Sequence, residues 1–149
     1  MQALGYSVGG FSTKVHIKAE GYGKPMHFVL TSGERHDTVA FPKLVKGGKV
    51  KRQGGGRPKH RCRYLVGDKA YSSGKIRQQL RYSATTPVIP KRNNQRRRGR
   101  FNRGLYRERN RVERLINRLK QYRRIATRYE KYAVNYLAML MIAAIRLWL

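Results

Sequence analysis

Between Thr13 and Ala19 the chain alternates, with Val15, Ile17 and Ala19 on one side and Lys14, His16 and Lys18 on the other. A period of two belongs to a strand that buries one face. After the turn "EGYGKP", the run "MHFVLTSG" carries Phe28, Val29 and Leu30 and ends at Gly33, which predicts a second strand and a hairpin. Asp37 stands where it would cap a short helix over "TVAFPKLVK", with Pro42 limiting its length. Tyr64, Leu65 and Val66 make the short apolar run of a strand covered on both faces, and Asp68 lies just past its end. A helix from about Ser73 to Tyr82 and a strand at "TPVIP" follow, so the order strand, helix, strand predicts a parallel pair joined by a crossover. From about Leu105 the pattern is helical through about Glu130, and again from Ala133 to the end.

Within the first of these long helical stretches two stripes run side by side. Val112, Leu115, Ile116 and Leu119 recur at the spacing of an apolar helix face and would anchor it on a core. At about 100° per residue, Tyr106, Arg109, Glu113 and Lys120 fall in an arc of roughly 60° beside it. Glu113 is an acid set among Arg109, Arg111, Arg114 and Arg118.

Charge makes that acid conspicuous. The 149 residues hold 35 Lys and Arg against 7 Asp and Glu, a formal net charge of +28. Self-repulsion on that scale opposes compaction unless a polyanion neutralises part of it, which points to nucleic acid. Residues 47 to 61 and 91 to 104 read as Gly-rich or Arg-rich basic loops, and the run "RRRGR" at 96 to 100 suits backbone contact rather than base readout. Lys69 and Arg77, close to Asp68, are further candidates for phosphate contact. Length suits one domain spanning residues 1 to 149. The closing run "YAVNYLAMLMIAAIRLWL" barely reaches the roughly 20 residues of a membrane span and is interrupted by Asn135 and Arg146, so it reads as a buried terminal helix. Cys62, the one cysteine, reads as a small, partly buried side chain. With no zinc spacing and no signal-peptide pattern at the N-terminus, a reducing cytosolic compartment is expected. His16, His27, His36 and His60 lack ligand spacing and read as solvated or turn histidines, and Tyr122, Tyr129, Tyr132 and Tyr136 as helix-packing residues.

Asp68 and Glu113 together suggest chemistry. Ligand sites in open α/β sheets lie at the carboxyl ends of strands, where Asp68 falls. Taken alone, it also fits a turn or capping aspartate, and Glu113 fits a partner for Arg109 one helical turn away. As a pair they offer the hard oxygen ligands that Mg²⁺ prefers beside a substrate phosphate, with neighbouring Arg and Lys to hold flanking phosphates.

These residues resemble a known pattern. Tyr106, Arg109, Glu113 and Lys120 reproduce the Tyr, two residues, Arg, three residues, Glu, six residues, Lys signature of DDE-type transposases of bacterial insertion sequences. "LGYSVGGFSTKVH", "TSGERHD", "VGDKAYSS" and "RRIATRYEK" are similar to other blocks of that family in the same order. The resemblance implies an α/β, ribonuclease-H-like fold with long C-terminal helices, and metal-dependent cleavage and strand transfer of transposon-end DNA in transposition and recombination. Asp68 and Glu113 would be the second and third catalytic and metal-binding acids, while Tyr106, Arg109 and Lys120 would contact DNA. The first acid is absent: residues 1 to 12 hold no Asp or Glu and no room for the strand that carries it. Asp37 matches a different family position. The chain therefore reads as an N-terminally truncated, partial catalytic domain, inactive alone, whose two-ion Mg²⁺ or Mn²⁺ site is complete only when an upstream reading-frame product supplies the missing Asp. Double-stranded DNA, that upstream product or a further copy of the chain are the implied partners, with no membrane and with a place at the bacterial nucleoid. The alternative is a non-catalytic, basic DNA-binding remnant or regulator of transposition.

Overall fold

The computed structural model describes residues 2–7, 10–51, 53–59, 61–96 and 99–149. The chain is mixed α/β and divides into two compact units, residues 1–48 with 111–149, and residues 49–110.

The first unit is built on an antiparallel sheet in the order β1 (Gly5–Ser7), β2 (Gly10–Ala19), β3 (Pro25–Ser32). The predicted hairpin is β2–β3, with Val15 opposite Leu30 and Ile17 opposite Phe28. No strand is predicted before Thr13, yet β1 pairs with the start of β2, Tyr6 opposite Phe11. That segment is too short and too rich in glycine to show a period. Val15, Ile17, Ala19 and Leu30 pack on a core of Phe28, Leu115, Leu119, Ile125, Tyr136, Leu140, Ala143 and Ala144.

The opposite face of β2 is not left to water. His16 is buried, and its Nε2 hydrogen-bonds Thr31 Oγ1 at 2.9 Å, which corrects the expectation of a solvated ring. The segment Asp37–Gly47 ties itself to that face. Lys14 pairs with Asp37 at 3.1 Å, and Lys18 Nζ donates to Gly47 O at 2.7 Å, near the carboxyl end of helix α1 (Phe41–Lys46). Lys14 and Lys18 thus serve as attachment points for a covering segment, while His16 between them bonds the neighbouring strand, roles their spacing cannot reveal. Asp37 is not the cap that was expected. It begins a 3₁₀ turn, Asp37–Val39, whose capping side chain is His36, accepting from Thr38 N. Pro42 falls in the first turn of α1, where its missing N–H has no helical partner to lose.

The long helix expected through Glu130 is broken twice. It forms as α3 (Arg103–Arg107), α4 (Asn110–Lys120) and α5 (Arg123–Ala126), and residues 127 to 132 leave the helical path. The departure after α5 has a tertiary anchor. From the segment after α5, Arg128 donates to Thr13 Oγ1 at 2.5 Å, Gln2 O at 3.0 Å, Glu130 O at 2.9 Å and Lys131 O at 3.1 Å. These bonds fix the N-terminal segment to the chain between α5 and α6 (Ala133–Trp148). As predicted, the apolar stripe of α4 enters the core through Leu115 and Leu119. Tyr136 is buried and donates to Ile125 O at 2.8 Å, and Tyr122 packs against the core. Tyr129 and Tyr132 are exposed rather than packed. No helix among the described residues is long and apolar enough to cross a membrane.

The second unit carries the predicted parallel pair, β4 (Tyr64–Val66) and β5 (Thr86–Val88), with Leu65 opposite Pro87. Their crossover is α2 (Gly74–Tyr82), which buries Ile76 and Leu80 in the same unit as Val88 and Ile89. Thr85 is buried before β5 and donates to Cys62 O at 2.9 Å, while Cys62 itself is exposed, not partly buried. The described part of the basic loop read over 47 to 61 contains a bridge, Val50 to Lys59. His60 and part of the "RRRGR" run lie outside the described residues.

Candidate active site

Asp68 follows β4 by two residues and caps a 3₁₀ turn, Lys69–Tyr71. Its Oδ1 accepts from Lys69 N at 2.6 Å. The capping role suggested by sequence is therefore present, but it occupies one oxygen. The other, Oδ2, faces Arg109 Nη1 at 4.0 Å, with the Asp68 side chain 56% exposed. Arg109 in turn lies over the Tyr106 ring, 5.5 Å from its centroid, and that ring meets Phe101 at 5.3 Å. Carboxylate, guanidinium, phenol and phenyl thus follow one another within the second unit. Phe101 was not anticipated, because it lies in a loop with no period to expose it.

The backbone explains how Tyr106 and Arg109 reach this position. Asn102 caps α3 by accepting from Leu105 N at 2.9 Å. The chain then turns through Glu108 and Arg109, whose amide hydrogens bond carbonyls three residues back, before α4 begins at Asn110. The four signature residues are consequently not on one continuous helix. Tyr106 belongs to α3, Arg109 to the turn, and Glu113 and Lys120 to α4. Within α4, a separation of seven residues keeps Glu113 and Lys120 on one face. Both are exposed, while Leu115 and Leu119 hold the helix to its core.

Asp68, Tyr106 and Arg109 fall in the second unit, and Glu113 and Lys120 in the first. No group of three or more His, Cys, Asp or Glu side chains that could hold a metal ion gathers among the described residues. Arg77, the other candidate for phosphate, is turned inward. It donates to Ser72 Oγ at 3.0 Å and Ile89 O at 2.9 Å, and burial lowers its pKa from the ordinary value. It serves the local structure. Lys69 is exposed beside Asp68.

An exposed carboxylate at the end of a strand, with a ring-stacked arginine facing it, can bind a cation or position a polyanion. The class of protein comes from comparison of the whole chain with known families. Residues 5–148 match the family described as "Transposase DDE domain", and the chain belongs to that family. It is 29% identical over 142 residues to the "Putative transposase for insertion sequence element IS6501" of Brucella ovis, covering 93% of this chain and 98% of the relative. With the corresponding protein of insertion sequence element IS402 from Burkholderia cepacia it shares 31% identity over 121 residues, 81% of this chain and 55% of that protein. No solved structure matches the chain.

Proposed function

We propose that this chain supplies two of the three acids of a DNA-cleaving and strand-joining site, Asp68 and Glu113. An upstream segment brings the first acid and completes a ribonuclease-H-like sheet. On this reading residues 1–149 form one partial catalytic domain, and Tyr106, Arg109 and Lys120 contact the ends of the element.

The observation that carries the proposal is the meeting of Asp68 with Arg109 at the carboxyl end of β4. One was singled out by its place after a strand and the other by its place in a signature, and they are 41 residues apart in sequence. Supporting the reading are the strand directions, an antiparallel hairpin in one sheet and, in a second sheet, a parallel pair joined by a helical crossover. The donor chemistry also fits a divalent ion, since Asp68 and Glu113 are exposed carboxylates with hard oxygens. Mg²⁺ or Mn²⁺ held there would lower the pKa of an attacking hydroxyl and offset charge on the phosphodiester. The protein's own part is positional. Arg109 keeps a positive charge beside Asp68, Tyr106 fixes the plane of that guanidinium, and Lys120 adds a second cation on the Glu113 face of α4. A guanidinium so held suits bidentate contact with phosphate.

The test is cleavage and joining of labelled element-end DNA with Mg²⁺ or Mn²⁺, by the chain alone and fused to the upstream reading-frame segment. Activity in the fusion that Asp68→Asn or Glu113→Gln abolishes without loss of DNA binding supports the reading. Robust strand transfer by the chain alone refutes its dependence on a third, external acid. DNA binding with no activity in either form makes the chain a DNA-binding regulator or remnant.

A further inference from the structure

Because β4 and β5 run parallel, the segments leaving their carboxyl ends emerge side by side. They are also bolted together. Ser72 Oγ donates to Gln95 Oε1 at 2.7 Å, and Gln95 Nε2 returns a bond to Ser72 O at 3.1 Å. Arg77 donates to Ser72 Oγ and, across the gap, to the carbonyls of Ile89 and Pro90. Arg92 N donates to Gln95 Oε1 at 3.3 Å, and the Arg92 guanidinium reaches Ala70 O at 3.5 Å. Such a network fixes both segments before any ligand arrives.

Between them lies an open depression of about 460 Å³ lined by Lys69, Ala70, Arg92, Asn93 and Asn94. Two cations and two carboxamides line it, with no acid. Lys69, Asn93 and Asn94 are exposed, and the depression begins one residue from Asp68.

From this geometry we infer that the depression is a phosphodiester subsite, which holds one backbone phosphate of a DNA strand between Lys69 and Arg92 and so sets the register of that strand relative to Asp68. The inference rests on the transposase reading above and adds a specific contact to it. Lys69 supplies a mobile point charge, and Arg92, tethered through its backbone and guanidinium, supplies a fixed one. The Asn93 and Asn94 amides can donate to the same phosphate or to the adjoining sugar. Freedom from carboxylates matters, because an acid in the lining would repel the phosphate at the contact distances involved.

The experiment is a titration of the ¹⁵N-labelled full chain with a thymidine trinucleotide, followed by amide resonances, beside a binding assay with a short mixed-sequence duplex. The amides of Lys69, Ala70, Arg92, Asn93 and Asn94 should shift and saturate together, ahead of the Gly54–Lys59 segment. Lys69→Gln and Asn94→Asp should each weaken that response by about tenfold, the worth of one charge-assisted hydrogen bond, while the Ser72 and Gln95 resonances stay in place. Equal shifts along the basic loop, indifference to both substitutions, or the same response to inorganic phosphate at the same concentration would overturn the subsite. Duplex binding without a response in the depression removes the subsite alone. Failure to bind the duplex at all removes the transposase reading with it.

Discussion

Arg109 faces Asp68 across 4.0 Å while its guanidinium lies 5.5 Å from the centre of the Tyr106 ring. With the Asp68 side chain 56% exposed, the ion pair contributes less than about 1 kcal/mol. Stability gives little reason for the arrangement, whereas control of charge beside a strand-end carboxylate does. Arg109→Gln should therefore leave the urea midpoint nearly unchanged and lower element-end cleavage by the upstream-fused chain about a hundredfold or more. Equal losses of stability and activity would make the residue structural.

Arg128 illustrates the opposite case, a charged residue that holds structure. Its guanidinium joins Gln2 and Thr13 to the segment Glu130–Lys131, and it also lies over the Tyr136 ring at 5.5 Å. Lysine keeps the charge but lacks the planar fork, so it cannot serve these acceptors together. Arg128→Lys should destabilise the chain by about 2 kcal/mol, the sum of two or three lost hydrogen bonds at their usual net worth. Urea unfolding measures it, and faster amide exchange at the N-terminal strand should accompany it. A change below about 0.5 kcal/mol would show that water replaces these bonds freely.

Much of this architecture was legible where burial imposes a period. Val15, Ile17 and Phe28 declared the hairpin, Tyr64–Val66 and "TPVIP" the parallel pair, and Leu115 and Leu119 the inner face of α4. What escaped was set by contacts distant in sequence. The path of the chain after α5 is held by the acceptors that Arg128 finds, and His16 is buried on a face of β2 to which Asp37–Gly47 is tied through Lys14 and Lys18, although its own pattern leaves that face polar. At the candidate site, Asp68 and the signature residues could be named from the sequence. The Asp68–Arg109 contact and the Lys69–Arg92 depression could not, because the parallel strands and α3 create them.

The core and the outer surface of the helical layer should respond differently to the same truncation. Leu119 is 2% exposed and packs in the cluster with Leu115, Ile125 and Leu140, whereas Val134 on α6 is 69% exposed. Leu119→Ala removes methyl groups from a close-packed site and should lower stability by about 2–4 kcal/mol. Val134→Ala should stay within about 0.5 kcal/mol, as is usual on an open surface. Thermal and urea unfolding of the two variants compare them directly. A cost at Val134 as large as that at Leu119 would mean that this face of α6 is covered in solution.

Acid should weaken the first unit through two imidazoles. His16 titrates below its ordinary value of 6.5, chiefly because burial penalises the charged ring, with Lys14 acting in the same direction and Asp37 opposing it. His27 is lowered too, by burial first and by Lys18 second. A depressed histidine binds fewer protons folded than unfolded once the pH drops below the unfolded value. Its neutral form therefore supports the fold above about pH 6.5, and that support is lost as the pH falls toward the folded pKa. The urea midpoint should decline from about pH 7.5 to about pH 5.5, ahead of the range where carboxylates titrate. His16→Asn can keep a hydrogen bond to Thr31 but cannot take up a proton. It should lower the midpoint near neutral pH, because the smaller side chain leaves a gap, and flatten the decline. Two-dimensional spectra of the ring resonances give the site-resolved check: an His16 ring that titrates above 6.5 in the folded chain would reverse the sign of its contribution, leaving only His27 to lower the midpoint as the solution is acidified.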